Sequence, residues 1–311
     1  MAITYNNLYL NARRKLLRAG VTAAALEARE LICFAAGKTK ESFFRDMCLY
    51  VPAHAEQRAG ELLERRILGE PVAYIIGEWD FYGLRLDISR DVLVPRVDTE
   101  QLAGRAVALA QKAGEGARVL DLCAGSGCVG LAAAANAPGC RVTLADWSEA
   151  AMRICKQNVR RNHLTAQITA FPVNALEYPP SALMNFDIIV CNPPYIPTED
   201  CKTLDESVLW EPQLALDGGE DGLLFYRAIT EKWSGALRLG GTLLFEVGIG
   251  QADAVKRLMA ENGFDNICAY PDDQGISRVV EGMVVQNITR DERGDIPEER
   301  PRINGGHNYG G

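Results

Sequence analysis

The stretch VLDLCAGSGCVG at residues 119–130 decides the fold. Its first residues continue an apolar run, RVLDL at 118–122, that reads as a buried strand, and its last residues open a helical stretch near 128–136. Between them Gly125, Gly127 and Gly130 fall in the spacing G-x-G-x-x-G, which serves where backbone must come closer to a neighbour than a side chain allows. A carboxylate, Asp146, ends the next apolar run, RVTLAD at 141–146, about twenty residues further on, where it can take a pair of ribose hydroxyls. Alone, this fingerprint fits an adenosine-type cofactor, and it also fits a tight strand-to-helix turn with no ligand.

Asp121 narrows the choice. It sits four residues before Gly125, where a negative charge opposes a pyrophosphate, the anion that loop amides and a helix N-terminus normally receive. The same charge suits an ammonium. S-adenosylmethionine carries an ammonium, a ribose and an adenine but no phosphate, so Asp121 at the methionine end and Asp146 on the ribose form a consistent division of labour.

A second signal is IIVCNPPYIP at 188–197. Four apolar residues read as a buried strand, and Asn192, Pro193, Pro194 and Tyr195 follow at its carboxyl end, where open α/β sheets hold ligands. Asn-Pro is also a plain turn signal. The residue types nevertheless suit methyl transfer to a planar nitrogen, a weak nucleophile whose lone pair is delocalised. The Asn192 side-chain oxygen and the Pro193 carbonyl oxygen can accept from its two N–H groups and stabilise positive charge as it develops. Pro193, with its fixed φ, holds that carbonyl rigidly, and Tyr195 offers a ring face to the planar group and to a sulfonium cation.

Outward from these motifs, short apolar runs (AQITAF at 166–171, FDIIVC at 186–191, GTLLFEV at 241–247) alternate with helical stretches near 98–112, 149–161, 221–238 and 251–262. That rhythm predicts a parallel sheet covered on both faces, with ICAY at 267–270 and SRVVEGMVV at 277–285 as a closing antiparallel pair. Residues 1–70 instead read as helices throughout, with Leu8, Ala12 and Leu16 on one face, Thr22 as an N-cap, Gly20 and Gly37 as stops, and Pro52 opening a further helix. AYIIGEWDFYGLRLDI at 73–88 reads as a hairpin joining the two parts.

Charge separates the same two parts. The 311 residues carry −8 overall, but residues 1–70 carry +3 and residues 71–289 carry −10. An acidic catalytic part argues against affinity built on neutralising many phosphates, so no stable nucleic-acid binding is expected. Arg13, Arg14, Lys15 and Arg18 either dock an acidic partner or form a solvated helix face. Nine scattered cysteines without a CxxC pair, and three histidines, fit neither a zinc site nor a disulfide framework; no metal is expected. No run approaches the ~18 apolar residues of a membrane span, and the reading is a reducing, cytoplasmic location without membrane association. The last 22 residues hold nine charged side chains and few large apolar ones, the composition of a disordered tail.

The span from about 70 to 286 resembles the class I S-adenosylmethionine-dependent methyltransferases, and more narrowly the HemK/PrmC type that methylates a glutamine of peptide chain release factors. NPPY is shared with amino-methyltransferases acting on nucleic acid. The narrower likeness rests on GEWDFYGLRL at 77–86, VLVPRVDTE at 92–100, WEPQLALDGGEDGL at 210–223 and LLFEVGIGQ at 243–251. The resemblance implies cofactor contacts from Asp121, Cys123, Ala124, Gly125, Ser126, Gly127, Asp146, Asn174, Ala175 and Asn192. It implies that Asn192, Pro193, Pro194 and Tyr195 hold the substrate glutamine and that Phe81 packs on its side chain. Arg96, Thr99 and Glu100 match a segment beside the cofactor; an equal reading makes them a helix N-terminus capped by Asp98 or Thr99, with Arg96 in a structural ion pair.

The chain departs from that pattern at Cys123, where the family usually has glycine, at Val97, where it has a second proline, and at Asn174–Ala175, where an Asp and an aromatic residue often meet the adenine. Weaker cofactor affinity is the expectation. The expected architecture is α/β: a seven-stranded, mostly parallel Rossmann-like methyltransferase sheet with one antiparallel strand, behind a small N-terminal helical domain. Its parts are a helical recognition domain over 1–70, a hairpin linker over 71–90, the methyltransferase domain over 91–287 and the tail over 288–311. The expected protein is a monomer that uses S-adenosyl-L-methionine, releases S-adenosyl-L-homocysteine and acts on a release factor. Rival readings are a ribosomal-protein glutamine methyltransferase, a nucleic-acid amino-methyltransferase, an NAD-dependent dehydrogenase and a non-catalytic adaptor.

Overall fold

The structure is a computed structural model and describes residues 2–285; the segment read as a tail lies outside the described residues. Five helices come first: α1 (Tyr5–Arg18), α2 (Ala24–Ala36), α3 (Lys40–Arg45), α4 (Ala53–Ile67) and α5 (Val72–Ile76). Thr4 and Thr39 cap α1 and α3 by accepting from Asn7 N–H and Ser42 N–H. Leu16, Leu31, Ile32, Phe43, Leu62 and Leu63 meet in a core separate from the sheet, as the apolar spacing predicts. Gly37, left-handed at φ 61, closes α2. Thr22 is not the N-cap: α2 starts at Ala24 after Ala23, with no side-chain cap bond among the described residues. Buried Val21, whose N–H reaches back to the Leu16 carbonyl, pulls the chain into the core, and Thr22 falls in the turn before the helix.

A hairpin follows, β1 (Glu78–Phe81) against β2 (Leu84–Asp87), antiparallel. Its two turn residues, Tyr82 and Gly83, both have positive φ, the geometry that matches the strand twist. The remaining elements are α6 (Thr99–Ala113), β3 (Arg118–Leu122), α7 (Cys128–Asn136), β4 (Arg141–Asp146), α8 (Glu149–Arg161), β5 (Ile168–Pro172), β6 (Phe186–Cys191), α9 (Leu224–Lys232), β7 (Leu237–Glu246), α10 (Ala252–Glu261), β8 (Phe264–Pro271) and β9 (Ser277–Val284). The sheet order is β5-β4-β3-β6-β7-β9-β8, and β9 alone runs against its neighbours. One core, with Val119, Leu131 and Leu144, covers one face, and another, with Leu120, Leu122, Ile189, Trp233 and Phe245, covers the other. Each strand of the pair β3 and β6 therefore buries both faces, which is why RVLDL and FDIIVC read as near-continuous apolar runs.

The helix expected over 221–238 is shorter. It ends at Lys232, where Trp233 turns into the core with no exposed surface, and β7 begins earlier than the sequence suggests, at Leu237. Strand order reverses between β3 and β6, since the chain builds outward to β5 from one and to β7 from the other. Ligands settle at the carboxyl ends of strands flanking such a reversal, and both motifs lie there. Six of the nine cysteines are buried and all nine are free thiols, in keeping with small apolar filler. No helix among the described residues is long and apolar enough to cross a membrane.

Candidate active site

The cofactor half is built from one loop and two carboxylates. Between β3 and α7 the backbone alternates, with Cys123, Gly125 and Gly127 at φ 60, 57 and 80. Ala124 N–H donates to the Ala145 carbonyl at 3.0 Å, and Gly125 N–H donates to Asp146 Oδ2 at 2.9 Å, which tie the loop to the end of β4. Asp146 Oδ1 accepts from Ser148 N–H at 2.8 Å, leaving each oxygen a further lone pair for a hydroxyl. Gly130 has a packing reason for being glycine: a Cβ there would lie 2.3 Å from Leu144 Cδ2 and 3.0 Å from Asp121 Oδ2. Asp121 is buried and accepts from Gly130 N–H at 2.7 Å.

Burial, with the neighbouring Asp146 adding to it, pushes the Asp121 carboxyl up to about 7; the Gly130 N–H opposes the shift. Burial also raises Asp146, against the amides of Gly125, Ser148 and Trp147. Two carboxylates thus compete for charge in one cleft, and a cation entering it relieves both.

The acceptor half draws on several segments. After β6, Ile196 pairs with Asp217 as a parallel bridge: Ile196 N–H donates to the Leu216 carbonyl at 3.0 Å, and Gly218 N–H donates to the Ile196 carbonyl at 2.8 Å. Gln251 Nε2 donates to the Tyr195 carbonyl at 2.9 Å and to the Gly222 carbonyl at 3.3 Å, while Gln251 Oε1 accepts from Gly248 N–H at 3.0 Å. Gly222, at φ 72, lies so near that a Cβ would stand 2.4 Å from the Tyr195 oxygen. At Gly218 a Cβ would stand 2.7 Å from Tyr195 Cα. Backbone from 216–222 and one side chain of the α10 approach therefore clamp the NPPY turn. Burial pushes the Tyr195 hydroxyl up to about 12, so it stays neutral.

Asn192 Nδ2 is 3.5 Å from Thr99 Oγ1. Thr99 is buried as the first residue of α6, and neither it nor Asp98 caps that helix with a side-chain bond among the described residues. Asp98 is helical in φ and ψ, which points its carboxylate away from the free amides, and it pairs with Arg278 at 3.0 Å. Arg96 is in a structural ion pair, with Glu211, whose Oε2 accepts from Val94 N–H at 3.1 Å. That pair fastens the loop 210–216, and Pro212, Leu214 and Ala215 from it form a wall of the cleft. Glu100 Oε1 accepts from Tyr82 N–H at 3.1 Å, tying α6 to the hairpin.

One cleft, about 980 Å³ with its open mouth, brings together Asp121, Cys123, Ala124, Gly125, Ser126, Asp146, Asn174, Ala175, Asn192 and Pro194. Asp91, Asp121 and Asp146 stand among the lining residues, and no lysine, arginine or histidine does. Such walls fit S-adenosylmethionine and repel a dinucleotide's phosphates. Gly127, Pro193, Tyr195 and Phe81 are not among the residues that line the cleft, and Phe81 is buried in the core that also holds α6 residues. The Ala175 wall is braced by the Trp233 indole N–H, which donates to its carbonyl at 3.0 Å. Gln251, Glu246 and Gly222 carry no site role in the sequence reading; their stretches, LLFEVGIGQ and WEPQLALDGGEDGL, were the available signal.

Comparison with known proteins places this geometry. The PrmC N-terminal domain profile matches residues 7–77, and the Methyltransferase small domain profile matches residues 85–214. The release factor glutamine methyltransferase of Geobacter sulfurreducens is 37% identical over 275 residues, covering 88% of this chain and 94% of its own length. The enzyme of that name from Neisseria gonorrhoeae is 34% identical over 263 residues, covering 85% and 94%. Among solved structures the hMettl16 catalytic domain matches with TM-score 0.55 at 17% identity, over 75% of this chain and 81% of that one, a likeness of fold alone. With identity at this level along nearly the whole length of its relatives, the chain belongs to the release factor glutamine methyltransferase family.

Proposed function

We propose that this protein transfers the methyl group of S-adenosyl-L-methionine to the side-chain amide nitrogen of a glutamine in a peptide chain release factor. The observation that carries the reading is the placement of Asn192-Pro193-Pro194-Tyr195 at the end of β6, on the rim of a cleft walled by carboxylates. When bound, the cofactor supplies an electrophilic methyl group on a sulfonium. Asp121 receives its ammonium and Asp146 its ribose hydroxyls, while Cys123 to Gly127 line the methionine and Asn174 and Ala175 border the adenine.

The Asn192 Oδ1 and the Pro193 carbonyl accept the two amide N–H groups of the glutamine, which aims the nitrogen lone pair into the cleft. As the nitrogen takes on positive charge these acceptors strengthen, each contributing about 3–4 kcal/mol at the transition state by analogy with oxyanion-hole donors. No base has to remove a proton before transfer, because the nitrogen keeps both until its bond to the methyl forms and the methyl–sulfur bond breaks; one of the two protons then leaves to water, which gives the neutral N-methyl amide. Pro194 and the ring of Tyr195 exclude water around the amide, and the clamp of Gln251, Gly218 and Gly222 keeps the turn from yielding. Phe81 supports the hairpin side of the glutamine pocket. Residues 1–70, with their positive balance, provide the surface that grips the release factor, and residues 91–287 perform the transfer.

Labelled cofactor offered with a release factor, its Gln→Ala variant, a ribosomal-protein substrate and RNA or DNA tests this. Label in the native release factor alone is the expected result; label in the ribosomal protein or in nucleic acid overturns the assignment.

A further inference from the structure

Catalysis through Asn192 has a requirement that the residue itself does not meet. The two ends of a carboxamide are nearly isosteric, and the turnover-competent rotamer must present oxygen, not nitrogen, to the substrate amide. Something has to hold the Asn192 nitrogen inward. Behind it, outside the cleft lining, stands Glu246, the last residue of β7 and only 3% exposed. Phe245 is the register partner of Cys191, so Glu246 and Asn192 are the next residues on adjacent strands. The Thr99 and Asn192 side chains both favour the ionised form of the Glu246 carboxyl, and they are joined to each other, with Asn192 Nδ2 3.5 Å from Thr99 Oγ1. Its Oε2 has no partner among the described residues, a buried acceptor with spare capacity.

We propose that Glu246, acting through and beside Thr99, is a positioning residue that locks the orientation of the Asn192 carboxamide. An ionised carboxylate only accepts. Thr99 must then donate its hydroxyl proton to Glu246, its oxygen lone pair is left to accept from Asn192 Nδ2, and the second Asn192 N–H is left to donate to Glu246. Every bond in the chain points inward, and Asn192 Oδ1 is the end that faces the cleft. A protonated Glu246 donates instead, the chain can run backwards, and the nitrogen of Asn192 turns toward the substrate.

Burial, with Asp98 adding to it, pushes the Glu246 carboxyl up to about 7, while Thr99, Arg278 and Asn192 oppose the shift. The groups that interact with it electrostatically are Asp98 from the start of α6, Arg278 from β9, Cys128 from α7, Tyr195 after β6, and Tyr226 from α9, whose hydroxyl donates to the Glu246 carbonyl at 2.9 Å; Thr99 and Asn192 favour its ionised form. Arg278 pairs with Asp98 at 3.0 Å and with Asp272 at 3.0 Å. Turnover therefore falls as pH drops through about 7. The limb appears in kcat at saturating cofactor, which separates it from Asp121, whose protonation acts on cofactor binding.

The inference rests on the reading of Asn192 under Proposed function, and the experiment keeps the two apart. The wild type, Glu246→Gln, Thr99→Val and Thr99→Ser are assayed on a release factor from pH 6 to 9, and the Asn192 side-chain amide is followed by 15N NMR without substrate. Glutamine mimics the protonated acid, so Glu246→Gln should lose about tenfold in kcat at pH 8.5, become flat with pH and keep its cofactor KM within twofold. Thr99→Val should lose as much, and Thr99→Ser should stay within twofold of wild type. The Asn192 amide signals should move between pH 6 and 8 in the wild type and stay fixed in Glu246→Gln. A Glu246→Gln enzyme with the wild-type kcat, or one that retains the acid limb, overturns the proposal. A loss confined to cofactor KM or to thermal stability does so too. A wild type that leaves the release factor glutamine unmodified sinks the functional reading instead, and the NMR titration alone then decides the positioning role.

Discussion

The two halves of the cleft are built in opposite ways. The cofactor half comes from two short stretches, 121–130 and 146–148, fastened by backbone amides to one another and to two aspartates. The acceptor half is assembled from residues 94–99, 192–198, 211–222 and 246–251, and its turn is held by glycines and side chains that are far off in the chain. A local loop should absorb a substituted residue such as Cys123, with the cost falling on cofactor affinity. A turn clamped from three sides transmits any displacement to the reacting atoms, where small misplacements cost large factors. Damage to the first half should therefore read out in cofactor Kd, and damage to the second in kcat.

Asn192→Ala should give the largest effect and the cleanest separation: a loss of about a thousandfold or more in kcat, with cofactor binding still measurable by calorimetry. Near-normal turnover would sink the mechanism. Gly222→Ala comes next. Its Cβ would lie 2.4 Å from the Tyr195 oxygen, at a φ of 72 that L-residues rarely adopt, so the NPPY turn has to move. About 10–100-fold of kcat should be lost with cofactor Kd within about threefold; a change in Kd alone would erase the contrast between the halves.

Asp121→Asn tests the other side. Losing the charge that faces the ammonium should weaken cofactor binding by roughly 30-fold, an amount in keeping with a buried charge-assisted contact of about 2 kcal/mol. In the wild type that affinity should weaken as pH falls below about 7, because Asp121 takes up a proton there when no cation is present. The sign for stability is the reverse. A carboxyl whose folded value is raised to about 7 stabilises the cofactor-free protein fully only below its unfolded value, and that contribution is lost as pH rises through 7. Thermal melting without cofactor should show this decline between about pH 4 and 7, levelling off above, and a shallower one in the variant, where Glu246 still contributes. An equally steep decline in Asp121→Asn would assign it to other groups.

The same contrast explains how much could be read from the residues. β3, α7, β4, α8 and β6 were legible because apolar period and glycine punctuation are local, and their order predicts the sheet. Asp121 and Asp146 were legible because strand-end position fixes where a carboxylate points. The Arg96–Glu211 pair, the Gln251 clamp and the Glu246–Thr99 contact join residues tens to over a hundred positions apart, so periodicity holds no trace of them. The resemblance drew notice to those stretches without saying what they do; for Arg96 the residues themselves also offered a structural ion pair, with no partner named. Thr22 and Asp98 show the limit at helix starts: both have the right chemistry for a cap, but burial of Val21 and the Asp98–Arg278 pair decided the geometry.

The smallest expected effect lies at Cys123, where the cofactor half departs from its family. Its φ of 60 is left-handed, a conformation that costs an L-residue roughly 1–2 kcal/mol and glycine almost nothing. Glycine, however, loses about 0.5–1 kcal/mol more backbone entropy on folding, and it forfeits the contact of the Cys123 side chain with the core that holds Cys191. Cys123→Gly should therefore raise stability by no more than about 1 kcal/mol, read as a higher denaturant midpoint at constant m. A loop free of that strain should also bind cofactor up to about threefold more tightly. Cys123→Ala separates the two contributions, because it keeps the left-handed Cβ and loses the sulfur contact: it should be less stable than both the wild type and the glycine variant. A glycine variant that falls below alanine would mean that the Cβ contact and the chain entropy of glycine outweigh the left-handed strain at this position, whereas one that falls below the wild type but stays above alanine would assign the tolerance of the cofactor half to the sulfur that replaced the glycine.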